Sequence, residues 1–101
     1  MAQFDVYKNE RGGLYPYVVD VQAELLSSLA TRIVVPLIAR KKYGKPITRL
    51  HPTATIAGVE YVLKFHGLAA VPARVLVHPV ESLAHRRTEL VAALDLLFTG
   101  V

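Results

Sequence analysis

The last twenty residues, 82–101, are the part of the sequence that most constrains the fold. Their apolar residues recur at helical spacing, and no proline or glycine interrupts the run before Gly100. Ser82 precedes the run, and its hydroxyl can accept a hydrogen bond from a free N–H of a first helical turn. We therefore predict a C-terminal amphipathic helix that covers a core built by the rest of the chain. Its apolar stripe consists of Leu83, Leu90, Leu94, Leu97 and Val101, with Phe98 at the edge.

Two residues near the end of this helix do not fit a purely structural role. Leu96 points away from the apolar stripe, and Asp95 lies where the helix dipole disfavours negative charge. The sequence then stops after an apolar tip, residues 98–101. This tip is either a frayed helix end or, together with Asp95, a contact for a partner.

The composition indicates one small domain, residues 1–101, with more apolar surface than it can bury alone. Hydrophobic residues make up 52% of the 101 residues, but no run approaches the roughly 20 apolar residues that a membrane span needs. The excess predicts a second buried surface, most simply a homodimer interface. There are no cysteines and no secretory signal at the start, which agrees with a cytoplasmic protein.

Short alternating segments before the helix predict a mostly antiparallel sheet. One strand begins at Phe4 and ends at the turn-rich loop 9–13, and residues 53–63 read as a hairpin with Ala57-Gly58 at its turn. Further strands are predicted at 15–21, 32–38 and 73–77, with Pro79 ending the last of them. Strands followed by one helix indicate an α+β domain that is mostly β.

Two segments deviate from regular strands. Pro36 lies inside the β-branched run 32–38, where it removes a ladder donor, so we expect a bulge or a sheet edge there. Residues 24–31 are compatible with a helical turn, but Ser27-Ser28 favour a loop.

Residues 40–49 form a basic loop that holds five of the twelve lysine and arginine residues. Gly44 and Pro46 predict the loop conformation. Such a loop is either a solvated surface or a contact for an acidic protein or a phosphate. Its cationic residues are Arg40, Lys41, Lys42, Lys45 and Arg49.

The sequence shows no pattern that indicates a cofactor, a metal or a catalytic group. The four histidines have no ligand spacing, and no glycine-rich phosphate loop or serine nucleophile motif is present. The acidic residues form no evident catalytic pair. Binding is therefore the favoured class of function.

In order along the chain, several short segments resemble the CcdB toxins of CcdA/CcdB toxin–antitoxin systems. They are Gln3-Phe-Asp-Val-Tyr7, Val19-Asp-Val-Gln22, Arg32-Ile-Val-Val-Pro-Leu37, Ala70-Val-Pro72, His85-Arg86 and Phe98-Thr-Gly-Val101. The resemblance implies a small antiparallel barrel-like sheet with a C-terminal helix, the fold shared with MazF-type toxins. It also implies a homodimer that binds the DNA gyrase A subunit, traps the cleaved gyrase–DNA complex, and is neutralised by an acidic CcdA-like antitoxin with which it represses its operon.

The resemblance further implies a set of gyrase-binding residues. These are Leu25 and Leu26 in the loop after Val-Asp-Val-Gln, Asp95 in the helix, and Thr99, Gly100 and Val101 at the tip. The best-known form of the family ends in Trp-Gly-Ile, so threonine stands here in place of tryptophan. The antitoxin is expected on the basic loop, and Leu96 is expected in the dimer contact.

Two other functions remain compatible with the sequence. One is a MazF-like endoribonuclease, which needs an acid/base pair and a group that stabilises the scissile phosphate; Thr31-Arg32 or Arg74 are candidates. The other is an inactive relative that keeps only antitoxin binding and operon control.

Overall fold

A computed structural model describes residues 2–101 and contains one sheet and one α-helix. The sheet order is β4-β5-β3-β2-β1-β7, and β6 also pairs with β3. Each of these pairings is antiparallel, and the sheet curls into a half-barrel. The mostly β, α+β fold predicted from the sequence is confirmed. The elements are β1 (Asp5–Lys8), β2 (Tyr17–Asp20), β3 (Thr31–Ala39), β4 (Thr53–Ile56), β5 (Val59–Leu63), β6 (Ala69–Pro72), β7 (Pro79–Ser82) and α1 (Arg87–Thr99).

Strand β3 is the centre of the sheet because it pairs with three other strands. One edge pairs with β2 along residues 34–37, while the other edge pairs with β6 at its beginning and with β5 at its end. Pro36 lies between these last two partners, and its carbonyl accepts a hydrogen bond from the Lys64 N–H. The missing N–H of Pro36 therefore faces the gap where the partner strand changes. The register with β2 runs on past Pro36 without a shift, so no bulge is present, and the alternative prediction of a sheet edge agrees with the gap between β6 and β5 at this position.

One face of the sheet and helix α1 enclose the main core. Val6, Val19 and Leu63 contribute from the strands, and Leu90 and Ala93 contribute from the helix. Each of these five side chains is fully buried. The period-two pattern of the strands and the spacing of the helix thus predict the same core from two sides.

The opposite face of the sheet holds a buried ion pair. The Arg32 guanidinium donates to the Asp20 carboxylate at 2.8 Å, and both side chains are fully buried. A second nitrogen of Arg32 donates to the carbonyl of Gln22 at 3.1 Å, while its Nη1 has no partner. Burial beside Asp5 and Asp20 raises the pKa of the nearby Tyr7 hydroxyl. This pair fixes β2 against β3 at the point where both enter the loop 21–30.

The predicted β4–β5 hairpin is confirmed, with a two-residue turn at Ala57-Gly58. Both residues have positive φ, 51° and 81°. Positive φ at both central residues is the signature of a type I′ turn, whose twist matches that of the flanking strands. Alanine in this position is strained because its Cβ disfavours the left-handed region.

Two boundaries near the C-terminus differ from the prediction. Residues 73–75 form a 3₁₀ turn instead of a strand, and Pro79 begins β7 instead of ending one. Strand β7 pairs along an edge of the sheet with β1, and a proline is tolerated at the first position of an edge strand. The helix begins at Arg87, and Ser82 does not cap it. Ser82 belongs to β7, and its hydroxyl accepts a hydrogen bond from the N–H of Ala84 in a separate 3₁₀ turn.

The segment 24–31, interpreted as a loop, begins with a 3₁₀ turn at Glu24–Leu26 and enters β3 at Thr31. Residues 27–30 have no helical or strand structure. The loop prediction is therefore correct for the part that contains the two serines.

Candidate binding surfaces

The C-terminal tip is an exposed apolar end on a helix that is capped in the usual way. Gly100 has φ 78°, and its N–H donates to the carbonyl of Leu96 at 3.1 Å. The hydroxyl of Thr99 donates to the carbonyl of Asp95 at 2.7 Å. Phe98 and Val101 are 69% and 77% exposed. Val101 was expected in the apolar stripe, but the helix ends at Thr99 and leaves Val101 in solvent.

Asp95 shares one face of the helix with the tip. Arg87, Val91, Asp95 and Thr99 recur every four residues, and side chains at this spacing lie above one another. Asp95 and Thr99 are exposed, whereas Val91 is half-buried against the core. Each step of four residues also turns by about 40°, so this row winds round the helix, and its exposed end consists of Asp95 and Thr99.

The turn 24–26 presents leucines to solvent because a glutamine braces the loop behind it. The amide of Gln22 donates to the carbonyls of Leu26 and Thr31, and its side-chain oxygen accepts from the N–H of Ile33. Leu25 is 91% exposed and Leu26 is 45% exposed. A leucine at 91% exposure on a braced turn has no role in the core of this chain.

A residue that the sequence analysis missed connects this turn to the helix. The backbone N–H of Gln3 donates to the Glu24 carboxylate at 3.3 Å, and its side-chain oxygen accepts from Arg87 at 2.6 Å. Leu25 and Leu26 thus lie near the beginning of the helix. The tip lies one helix length away, about 20 Å for thirteen residues. The four-residue spacing from Asp95 back to Arg87 was the one sequence signal for this row.

Leu96 is half-buried in this single chain and is not among the residues that pack against the main core. Its neighbour Leu97 is also half-buried. The position of Leu96 agrees with the sequence pattern that set it apart from the stripe, whereas Leu97, which was predicted in the stripe, is likewise not among the residues that pack against the main core.

The basic loop is a cationic surface at the end of β3. All five of its lysine and arginine residues are exposed, and within residues 2–101 none of them forms an ion pair. Residues 40–42 form a 3₁₀ turn, and the Arg40 guanidinium reaches the Gly44 carbonyl at 3.5 Å. The loop therefore offers unneutralised positive charge to solvent.

A groove of about 550 Å³ lies on the side of the sheet away from the helix. Its floor is apolar and includes Val34, Val71 and Leu76, and charged side chains at its rim include Glu10 and Arg74. Arg32, one of the candidates for phosphate chemistry, is not available because its guanidinium is buried against Asp20. Within the described residues, no three His, Asp or Glu side chains gather as a metal site, and none of the helices has the length and hydrophobicity of a membrane span.

The fold and these surfaces define a small, mostly β protein with one C-terminal helix and two exposed regions suited to binding other macromolecules. The chain belongs to the CcdB family, since a family model described as CcdB protein matches residues 3–100. It is therefore a toxin of the CcdB type, which is one half of a toxin–antitoxin system. The resemblance seen in the sequence is confirmed over essentially its whole length.

Proposed function

We propose that this protein is a homodimeric toxin that binds the A subunit of DNA gyrase and traps the cleaved gyrase–DNA complex. In this proposal a CcdA-like antitoxin neutralises the toxin and joins it in repressing their operon. Membership of the CcdB family supports the toxin class. The observation that carries the finer proposal is the exposure of the apolar tip beside Asp95, together with the exposed leucines 25 and 26 near the other end of the helix.

Exposure of the tip supports a binding role because it serves no purpose in the isolated chain. Phe98 and Val101 are mostly in solvent, and a carboxylate, that of Asp95, lies one helical turn before Thr99. In most interfaces a few residues carry most of the binding energy, so a tip of four residues is large enough to act as a binding site. At Gly100 nothing lies within 4 Å of the position of a Cβ, so another backbone can approach closely.

Trapping an enzyme requires a higher affinity for one of its conformations and needs no chemistry. A tip that inserts between two gyrase chains can bind only while they are apart. Leu96 supports a dimer that places two tips side by side, since it is half-buried and lies off the core-facing side of the helix. Two adjacent tips then act together on the two-fold symmetric enzyme.

The basic loop is the surface we assign to the antitoxin. Its residues Arg40, Lys41, Lys42, Lys45 and Arg49 present unpaired positive charge, which attracts an acidic chain over a distance of about 10 Å at moderate salt. The loop and the tip lie on different elements. Neutralisation at the loop and poisoning at the tip can therefore be separated by mutation.

The endoribonuclease alternative retains one supporting observation. Thr31 pairs with Pro72 across β3 and β6, which places it near Arg74 at the rim of the groove. Glu10 lines the same groove and supplies a carboxylate. Arg32 cannot stabilise a scissile phosphate in this groove, because its guanidinium is buried in the ion pair with Asp20.

The proposal is tested with purified gyrase, ATP and supercoiled DNA. We expect the wild-type protein to accumulate linear DNA with gyrase covalently attached, and to leave RNA intact under the same conditions. Deleting residues 99–101 should remove this activity, and Thr99→Trp should increase it if an arginine faces the tip. RNA cleavage without gyrase-dependent breaks would replace the proposal with the ribonuclease, and the absence of both would indicate an inactive relative.

Matched single variants separate binding from folding. Val101→Ser and Val77→Ser remove the same apolar side chain from two exposed positions, 77% and 58% in solvent. Each should cost well under 1 kcal/mol of stability, because most of either side chain is already hydrated. Only Val101→Ser should lower the yield of cleaved DNA. Equal losses from both variants would show that the tip has no special role.

A further inference from the structure

Two histidines connect the basic loop to the turn that precedes β6. The Nδ1 atom of His51 accepts from the backbone N–H of Ile47 at 2.8 Å, and its Nε2 atom lies 2.8 Å from Nδ1 of His66. The Tyr43 hydroxyl lies 3.4 Å from the same Nε2 atom. His51 is 5% exposed, whereas His66 is open to solvent in the 3₁₀ turn 65–67. The imidazole of His51 therefore contacts both Ile47 within the basic loop and His66 in the turn 65–67.

These contacts determine where the protons lie. A backbone N–H can only donate, so the Nδ1 atom of His51 carries no proton and the neutral ring holds its proton on Nε2. That proton is donated to Nδ1 of His66, which must then carry its own proton on Nε2. A proton added to either Nδ1 atom places two donors against each other and breaks one of the two hydrogen bonds.

The surroundings also disfavour a charged ring. Burial lowers the pKa of His51, and the neighbouring His66 and Lys64 lower it further. Lys64 is fixed nearby by a 2.9 Å hydrogen bond to the Tyr15 hydroxyl. Within the basic loop, Tyr43 is the titratable side chain that packs against the His51 ring. Neither of the ion pairs within residues 2–101 involves a histidine. No carboxylate of these ion pairs compensates a positive charge at this position.

We propose that the His51–His66 pair is a proton-operated latch that holds the basic loop against the turn 65–67 while both rings are neutral and releases it on acidification. The released loop binds protons more readily than the closed one. The closed form therefore predominates above the ordinary histidine pKa of about 6.5 and loses stability as the pH falls below it. The shape of the cationic surface then depends on pH even though its lysines and arginines keep their charge. This inference concerns the loop alone and does not rest on the identity of the target or the antitoxin.

The latch is tested by NMR on the full ¹⁵N-labelled protein between pH 7.5 and pH 5.0. At the higher pH we expect ring ¹⁵N shifts that place the proton of His51 on Nε2. After correction for intrinsic exchange, the protection of the Ile47 amide should fall several-fold at the lower pH, up to about tenfold for each unit by which folding lowers the pKa. The Val21 amide, which donates to Ile33 within the sheet, serves as the internal reference.

Two variants keep the test specific to the pair. His78→Gln changes an exposed histidine outside the cluster and should leave the response of the Ile47 amide unchanged. His51→Gln should remove the pH dependence of that amide, whatever its effect on overall stability. A proton on Nδ1 of His51, or equal protection of Ile47 at both pH values in the wild type, would overturn the proposal.

Discussion

Breaking the buried ion pair between Asp20 and Arg32 should destabilise this protein more than any change at its binding surfaces. In Arg32→Met the apolar stem of the side chain is retained, but a carboxylate remains with no cation in a fully buried site. Removing one partner of such a pair costs about 3–5 kcal/mol. A domain of this size has a total stability of about 5–15 kcal/mol and loses about 4–8 °C of melting temperature per kcal/mol. We therefore expect the melting temperature to fall by about 12–40 °C.

The double variant Asp20→Leu with Arg32→Met shows whether the loss comes from the unpaired charge. Replacing both partners removes the charge and also the unpartnered Nη1 donor of Arg32. The N–H and the carbonyl of Gln22 then lose their partners, but Gln22 is only half-buried and water can reach it. The double variant should be more stable than Arg32→Met alone by about 2 kcal/mol or more.

Urea and thermal unfolding of these variants provide the measurement, with an exposed ion pair as the control. Arg86→Met removes the pair with Glu89, whose side chains are 24% and 51% exposed. Such a pair contributes about 0.2–1 kcal/mol, so this variant should unfold close to the wild type. If Arg32→Met is as stable as Arg86→Met, or if the double variant is less stable than Arg32→Met alone, the buried pair does not have the energetic role assigned to it.

Three further predictions concern separate parts of the molecule. Charge reversal of Lys41 and Lys42 should slow antitoxin association and reduce its salt dependence in stopped-flow measurements, and an unchanged rate at low salt would leave the loop as a solvated surface. Leu96→Glu should shift the protein toward monomers in sedimentation velocity, whereas a wild-type protein that is already monomeric at micromolar concentration would remove the dimer argument. Ala57→Asn should raise stability by about 0.5–1 kcal/mol in thermal unfolding because asparagine tolerates the positive φ that strains alanine, and a lower melting temperature would contradict the assigned turn.

Features set by neighbouring residues were predictable from the sequence, and features set by distant partners were not. The hairpin turn at 57–58 and the position of Leu90 in the core both follow from the spacing of nearby residues, and both are confirmed. The residues of β7 were misassigned because only pairing with β1, more than seventy positions away, makes them a strand. Ser82 looked like a helix cap for the same reason.

The same distinction between local and distant determinants applies to the candidate binding surfaces. The basic loop and the apolar character of the tip could be predicted because charge and apolar content are visible in single segments, but the exposure of Val101 could not, since helical spacing placed it in the apolar stripe. The position of Leu25 beside the helix could not, since it depends on Gln3 contacting Glu24 and Arg87 at separations of 21 and 84 residues. The burial of Asp20 could not be predicted either, because alternation alone does not reveal that Asp20 pairs with Val34 and so has Arg32 as its diagonal neighbour on the same face.

The pairing of β1 with β7 has a consequence for how the toxin is synthesised. Asp5 and Ser82 are partners in the sheet, and the helix that covers Val6 follows still later in the chain. A nascent chain on the ribosome can pair β1 with β2, but the other edge of β1 stays unpaired and the core stays open until residues 79–99 have emerged. Contacts of such long sequence separation form late. The tip, which we propose as the gyrase-binding site, is therefore presented only in the step that completes the fold, so we expect incomplete translation products to be harmless to the cell that makes them.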